Sequence, residues 1–385
     1  MRIVIFTNAY EPIVSGVVTA IRFFRQGLID LGHEVYIFAP DHKDIQDRQK
    51  DRAEGIFRFS AVNLTRQLYF PIAVPCYPGL TSLLRRINPD VIHSHHPFVL
   101  GKVGLRLARR LGVPLVYTFH TQYEQYSHYF PLPQNLVKWA GRKAVRDYAQ
   151  SVDLLTTPAE SIAGLLRSYG VTKKVHILPN PLDLARYERI DHQIIRNRYG
   201  IGRRKLLLFV GRIGREKNLD FLLRAFARLA EEFGDDIRLM LVGSGAAEEM
   251  LKKSAAGLGL ADRVIFTGAV NYEEIPLYYG AADLFVMTST SEVKPLVFIE
   301  AMAAGLPVVA VEASGSKDTF TSGYNGILTP EEVEAFASAV RELLRNDRRR
   351  LEIAQAAKES AARYSIKNLT QELLTLYKEA IAEKG

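Results

Sequence analysis

Leu206-Leu207-Leu208-Phe209-Val210 runs straight into Gly211-Arg212-Ile213-Gly214-Arg215-Glu216-Lys217-Asn218, and a helical pattern begins near Leu219. An apolar run, a glycine-punctuated turn and an amphipathic stretch together read as a strand handing over to a helix. The same unit recurs on both sides of it. Downstream come strand-like runs at Arg238 to Val242, Val264 to Phe266, Leu284 to Met287 and Val308 to Val311. Upstream lie Ile3 to Phe6, Glu34 to Phe38, Val91 to His93, Leu115 to Phe119 and Leu154 to Thr156. Strands alternating with helical stretches predict βαβ units around parallel sheets. The expected fold class is therefore α/β, with two Rossmann-like βαβ domains facing each other across a deep cleft. Pro179-Asn180-Pro181 and the irregular stretch after it set the boundary, giving residues 1–182 and 183–365. A last helix within 366–385, with Leu369, Leu373, Leu376 and Ile381 at helical spacing, is expected to cross back onto the first domain.

A chain of 385 residues exceeds what one hydrophobic core usually supports, in agreement with two domains. No apolar run approaches the roughly 20 residues that span a bilayer, and no cleavage-site pattern follows Ile3 to Phe6, so the chain reads as cytosolic. Cys76 is the only cysteine, which excludes an intrachain disulfide and a thiolate zinc cluster; it is expected to be a small buried hydrophobe. The net charge of +8 is unevenly placed. Residues 1–190 hold 24 Lys and Arg against 15 Asp and Glu, whereas residues 191–385 hold 26 against 27. The first half therefore faces something anionic or carries a solvated basic face.

Arg212 and Lys217 sit in the strand-to-helix turn. A guanidinium fork and an ammonium there can clamp a diphosphate and stabilise charge on a departing nucleotide; a solvated basic loop is the plainer alternative. Glu292 and Glu300 flank a segment leading into Glu300-Ala301-Met302-Ala303-Ala304-Gly305. They can accept hydrogen bonds from ribose and sugar hydroxyls, or Glu300 can merely favour a helix start. Leu241-Val242-Gly243-Ser244-Gly245 resembles a dinucleotide fingerprint, but Glu248 stands where the third glycine belongs. Gly243 is thus expected in a backbone turn bordering a nucleotide. Gly16, between the first strand and a helix, can admit a phosphate to backbone N–H groups or be an ordinary turn glycine.

His93, His95, His96, His120 and His128 invite a metal, yet no carboxylate lies at ligand spacing and no Asp-x-Asp pair occurs. No metal and no cofactor are expected. Between residues 123 and 148, Tyr123, Tyr126, Tyr129 and Trp139 interleave with Lys138, Arg142, Lys143 and Arg146. After Pro133 this reads as a helix with Leu136, Val137 and Ala140 on one side and cations on the other. It suits either an anionic membrane interface or packing on its own domain. No nucleic-acid module accompanies the charge, so nucleic acid is not expected as a partner.

Taken together, Arg212 and Lys217, Glu292 and Glu300 with the Glu-Ala-Met-Ala-Ala-Gly-Leu-Pro-Val-Val continuation, and Pro179-Asn180-Pro181-Leu182-Asp183 resemble the retaining family 4 glycosyltransferases over nearly the whole chain. The resemblance implies a GT-B fold, metal-independent transfer from a nucleotide-sugar and retention of the donor's configuration. It assigns Gly16 to the donor phosphate, Arg212 and Lys217 to the diphosphate, Glu300 to the ribose, Glu292 to the transferred sugar and His120 to the sugar's reacting face. Lys294, Pro295 and Leu296 follow Glu292 where the family usually carries a glycine, and Pro295 has no N–H to offer a donor oxygen. His120-Thr121-Gln122-Tyr123-Glu124-Gln125-Tyr126 and His93-Ser94-His95-His96-Pro97-Phe98 are similar to segments of bacterial 1,2-diacylglycerol 3-glucosyltransferases. That narrower likeness implies UDP-glucose, a lipid acceptor and peripheral attachment to the inner face of the cell membrane. A soluble or other lipid acceptor, and a non-catalytic nucleotide-sugar binding protein, stay open.

Overall fold

Arg2–Phe6 forms β1, buried at every position after Arg2, and its neighbours in space are strands from later in the chain. The computed structural model describes residues 1–13, 15–62, 71–120, 133–290 and 296–385. Its described residues divide into two units, Met1–Pro181 with Ile366–Gly385, and Leu182–Ser365. In unit 1, β1 is followed by β2 (Glu34–Pro40), β3 (Ile56–Phe59), β4 (Ala61–Val62), β5 (Ile72–Ala73), β6 (Val91–Ser94), β7 (Leu115–Thr118), β8 (Leu154–Thr157) and β9 (Val175–Ile177). Among the described residues these form a seven-stranded parallel sheet in the order β3-β2-β1-β6-β7-β8-β9, with β4 and β5 paired separately as an antiparallel ribbon. The central strands β6, β7 and β8 are buried along their whole length, as expected where helices cover both faces of a parallel sheet.

Unit 2 repeats the plan with β10 (Lys205–Val210), β11 (Ile237–Val242), β12 (Val264–Gly268), β13 (Leu284–Met287), β14 (Val308–Val311) and β15 (Ile327–Thr329). Their order is β12-β11-β10-β13-β14-β15 among the described residues. Each sheet reverses its winding direction once, between β1 and β6 and between β10 and β13. Ligands of such sheets bind beyond the carboxyl ends of the strands at that reversal.

The strands that the apolar pattern does not predict are β3, β9 and β15, all at sheet edges, and the two-residue strands β4 and β5 of the antiparallel ribbon. Edge strands are short and half-covered, so their apolar signal is weak; Val175-His176-Ile177 is only half-buried throughout. The last helix, Ile366–Lys384, lies in unit 1 and packs on the helix Gly16–Asp30. Gly27 permits the contact, since a Cβ there would meet Thr370 Oγ1 at 2.2 Å. Leu369, Leu373 and Leu376 are buried as expected, but Ile381 is not among the buried residues, and Tyr377 takes the inward position instead. Cys76 corrects another expectation. It is exposed, because its N–H closes a tight turn onto Val74 O at 2.7 Å on the surface just after β5.

Candidate functional site

The turn after β10 is fastened to the turn after β11 by backbone alone. Gly211 N donates to Val242 O at 2.9 Å, Ile213 N to Ser244 O at 2.9 Å, and Ala247 N to Ile213 O at 3.1 Å. Gly243, at φ +132°, makes this approach possible, because a Cβ would stand 2.0 Å from Gly211 O. Its lack of a side chain thus serves the partner turn. From the other side, the end of β13 grips the same segment. Thr288 Oγ1 donates to Lys217 O at 3.0 Å, and Ser289 Oγ to Glu216 O at 3.0 Å. These two hydroxyls are functional supports that the motif reading missed, although the run Thr288-Ser289-Thr290 directly after an apolar strand was there to be read.

The cations are therefore presented on a fixed backbone. Arg212 is 70% exposed at its side chain, and its Nη2 lies 2.7 Å from Glu216 Oε1. An exposed i,i+4 pair of this kind stabilises by less than ~1 kcal/mol, so an incoming phosphate can displace the carboxylate. Arg212, Gly214, Glu216, Ala247 and Met250 line a cavity of about 420 Å³. Lys217 ends the short helical turn Arg215–Lys217, one residue before Asn218, whose left-handed backbone starts the helix Leu219–Phe233.

Glu300 departs from its expected place at a helix start. It is the fifth residue of the helix Leu296–Ala303, buried to 4% exposure, so a role at the helix N-terminus does not apply. Its Oε2 accepts from the Tyr279 hydroxyl at 2.9 Å, and Tyr187 adds a second hydroxyl beside it. Burial raises the Glu300 carboxyl to about 6, partly offset by the Tyr279 hydrogen bond, the Arg186 guanidinium and the nearby Tyr187 hydroxyl. Leu296 opens this helix.

In unit 1 the loops after β1 and β6 are laced together. Asn8 N donates to His96 Nδ1 at 3.1 Å, and Leu100 N to Asn8 Oδ1 at 3.2 Å. Ser15 caps the helix Gly16–Asp30 through Val18 N. Among the described residues nothing lies within 4 Å of where a Gly16 Cβ would be, so they leave that space open.

Four histidines converge beside these loops. His93 holds the Tyr377 hydroxyl on Nδ1 and the Thr118 hydroxyl on Nε2, both at 2.7 Å. His95 Nδ1 lies 2.8 Å from His120 Nε2. Burial lowers His93 and His120 to about 3 and His96 to about 4, and drives His95 well below the ordinary histidine range. All four are therefore neutral near pH 7. No group of three or more His, Cys, Asp or Glu side chains arranged to hold a metal ion occurs among the described residues.

The helix Gln134–Ser151 has two parts. Val145, Tyr148 and Ala149 are buried, whereas Leu136 is 53% and Trp139 60% exposed. The expected apolar side at Leu136, Val137 and Ala140 is thus not packed into the core: Leu136 and Ala140 are exposed and Val137 is half-buried. Lys143 Nζ sits 5.6 Å from the Trp139 ring centroid and Arg142 lies over Tyr169, while Arg146 pairs with Asp147; Lys138 is half-buried. No helix among the described residues is long and apolar enough to cross a membrane. Glu292, Lys294 and Pro295, and Tyr123, Tyr126 and Tyr129, lie outside the described residues.

Comparison with known proteins adds to this geometry. Residues 14–186 match the family described as Glycosyltransferase Family 4, and residues 191–360 that described as Glycosyl transferases group 1. An alpha-monoglucosyldiacylglycerol synthase of Streptococcus pneumoniae is 35% identical over 316 residues, covering 80% of this chain and 71% of its own length. A protein of the same name from Acholeplasma laidlawii is 29% identical, covering 85% and 84%. Among solved structures, Anabaena HepE in complex with UDP aligns over 98% of this chain and 100% of its own, with a TM-score of 0.80 at 20% identity.

Proposed function

The chain belongs to the family 4 glycosyltransferases and has their GT-B fold, and on that premise we propose that it moves glucose from UDP-glucose onto a membrane lipid such as 1,2-diacylglycerol, with retention of configuration and no metal ion. The observation that carries the reading is the cationic turn at the winding reversal of unit 2. Its backbone is fully tied down, while Arg212 stays exposed beside an open cavity. A diphosphate needs positive charge that does not have to reorganise as the bond to the sugar breaks, and a pre-set turn supplies it.

In this reading Arg212 and Lys217 hold the diphosphate, Glu300 the ribose, Gly16 admits a donor phosphate, and Glu292 meets the transferred sugar. Bond breaking at the anomeric carbon leaves UDP, whose departing phosphate oxygen takes the proton of the acceptor hydroxyl as that oxygen bonds to the same face. No protein nucleophile is required, and His120 serves the reacting face by position. Support for the lipid acceptor comes from the printed activity of the two synthases and from the exposed Leu136 and Trp139 among Lys138, Arg142, Lys143 and Arg146. The same features support peripheral attachment to the inner face of the cell membrane.

The test is product formation from UDP-glucose or GDP-mannose, each with diacylglycerol vesicles, a soluble sugar acceptor, or no acceptor. A glucosylated lipid formed in the presence of a chelator, with the configuration of the donor, is the expected result. Product only with a soluble acceptor overturns the lipid assignment, and product only from GDP-mannose overturns the donor.

A further inference from the structure

The sequence singles out His93, His95, His96 and His120, and the proposed reaction uses only the last. The other three are not idle core residues. His95 is 2% exposed; its ring lies against that of His93, with centroids 4.2 Å apart, and is nearly coplanar at 19° with that of His120, whose centroid stands 5.1 Å away along the Nδ1–Nε2 contact. Beneath it, His93 cannot turn, because both ring nitrogens are engaged: Nδ1 by Tyr377 of the last helix and Nε2 by Thr118, which in turn lies 2.6 Å from Thr156 Oγ1. His95 is also fixed along the backbone, since its N–H donates to Phe6 O at 3.1 Å. His120 is the least buried of the three rings.

We propose that His95 is a positioning residue for His120, holding its Nε2 and thereby leaving Nδ1 as the nitrogen that faces the substrate. Two neutral imidazoles 2.8 Å apart share a single N–H. Whichever ring donates, Nε2 of His120 is consumed by the contact. The His120 ring lies edge to edge with the near-coplanar His95 ring, which rests on His93 and so on the hydroxyls of Tyr377 and Thr118. A histidine near a reacting centre needs this kind of second partner to keep one orientation. The inference rests on the proposed role of His120.

The experiment uses the full chain with UDP-glucose and diacylglycerol vesicles, and compares His95→Phe, His95→Asn and His120→Ala. Phenylalanine keeps an aromatic ring against His93 and removes the hydrogen bond to His120, whereas the asparagine amide reaches the position of Nδ1. The expected result is a kcat about tenfold lower in His95→Phe with KM for UDP-glucose within about twofold of wild type, and most of the loss recovered in His95→Asn. Nitrogen NMR of histidine-labelled protein should show His120 Nε2 hydrogen-bonded in wild type and in His95→Asn, and altered in His95→Phe. Unchanged kcat in His95→Phe, or wild-type His120 resonances in it, overturns the inference. If His95→Phe does not fold, a His120 that shows no hydrogen bond at Nε2 in wild type overturns it equally. A slow His120→Ala together with a fast His95→Phe sinks the positioning role alone; a fast His120→Ala sinks the proposed role of His120 itself.

Discussion

The winding reversals of the two sheets share a topology and differ in chemistry. In unit 1 the loops after β1 and β6 bring together neutral, buried imidazoles and an open space at Gly16. In unit 2 the turns after β10 and β11 hold two cations on a backbone clamped by Gly243, Thr288 and Ser289. The position of a ligand site follows from strand order in both. Its sign follows from a few side chains: a site for a leaving diphosphate must be charged, and a site for a sugar and an acceptor hydroxyl gains from dry, uncharged groups that compete less with the reacting oxygens.

The largest effect should come from discharging unit 2. Arg212→Ala and Lys217→Ala are each expected to lower kcat/KM about 100-fold or more, because on the proposed reading each removes a charge-assisted contact to the leaving group; the exposed Arg212 should leave the thermal midpoint unchanged, and the half-buried Lys217 should shift it little. Glu216→Ala should do little by comparison, since it removes no cation and frees Arg212 from an exposed pair. Steady-state kinetics with UDP-glucose and a melting curve check all three. Wild-type rates in both cation variants would mean that the two reversals do not differ in function.

Glycines sharpen the contrast. Gly243→Ala is expected to cost about 3 kcal/mol of stability, for the new Cβ would overlap Gly211 O and sit at a positive φ that side chains disfavour. Gly16→Ala should leave stability within about 0.5 kcal/mol, there being nothing within 4 Å to meet, yet raise KM for the donor about tenfold by filling a phosphate's space. Denaturant titration separates the two. A destabilised Gly16→Ala with normal KM would make Gly16 a structural residue.

How much of this was legible in the sequence follows from what leaves a local mark. Central strands did, because both their faces are buried, and so did the edge strand β12; the other edges β3, β9 and β15, and the two-residue β4 and β5, did not, because they carry too few apolar residues. Arg212 and Lys217 were readable from a turn between strand and helix, whereas the pairing of Arg212 with Glu216 depends on which way the turn folds. Glu300 was found by its spacing from Glu292 but placed at the wrong point of its helix, in which it follows at least four described residues from Leu296 on. Its partners Tyr279 and Tyr187 lie 21 and 113 residues away in sequence, and no local pattern announces them. Cys76 was misplaced because residue type predicts burial only on average.

Titration divides the units in opposite directions. The Glu300 carboxyl, raised from 4.5 to about 6 in the folded state, is protonated in both states below pH 4.5 and ionised in both above 6. Between these values only the folded state keeps the proton, so stability falls as pH rises through that window. Glu300→Gln should therefore raise stability by about 2 kcal/mol at pH 7 to 8 and by nothing near pH 4. The histidines of unit 1 behave inversely: their folded values lie near 3 to 4, so their contribution is intact above pH 6.5 and is lost as pH falls toward 3. Melting curves of the variant and wild type from pH 4 to 8 test the sign. A Glu300→Gln advantage that grows on acidification would contradict the buried, raised carboxyl.

The smallest expected effect concerns the outer surface of unit 1. Unit 2 also exposes large apolar side chains, such as Met250 at 45% and Leu351 at 65%, and single exposed residues of this kind need no explanation. Leu136 and Trp139 differ because they stand three residues apart on one helix, with Lys143 stacked on the indole and Arg142 one turn on. A helix of that pattern enters a lipid interface by apolar burial and by attraction of its cations to anionic headgroups, each cation near the surface contributing about 1 kcal/mol. Leu136→Ser with Trp139→Ser should weaken binding to anionic vesicles about tenfold while shifting stability by less than about 0.5 kcal/mol, as the first turns of the helix are not part of the core. Met250→Ser in unit 2 should leave vesicle binding unchanged. Added salt should weaken wild-type binding further, because part of it is Coulombic. Sedimentation with vesicles of phosphatidylglycerol and phosphatidylcholine measures both; equal losses from the two units would show that vesicle binding has no preferred face.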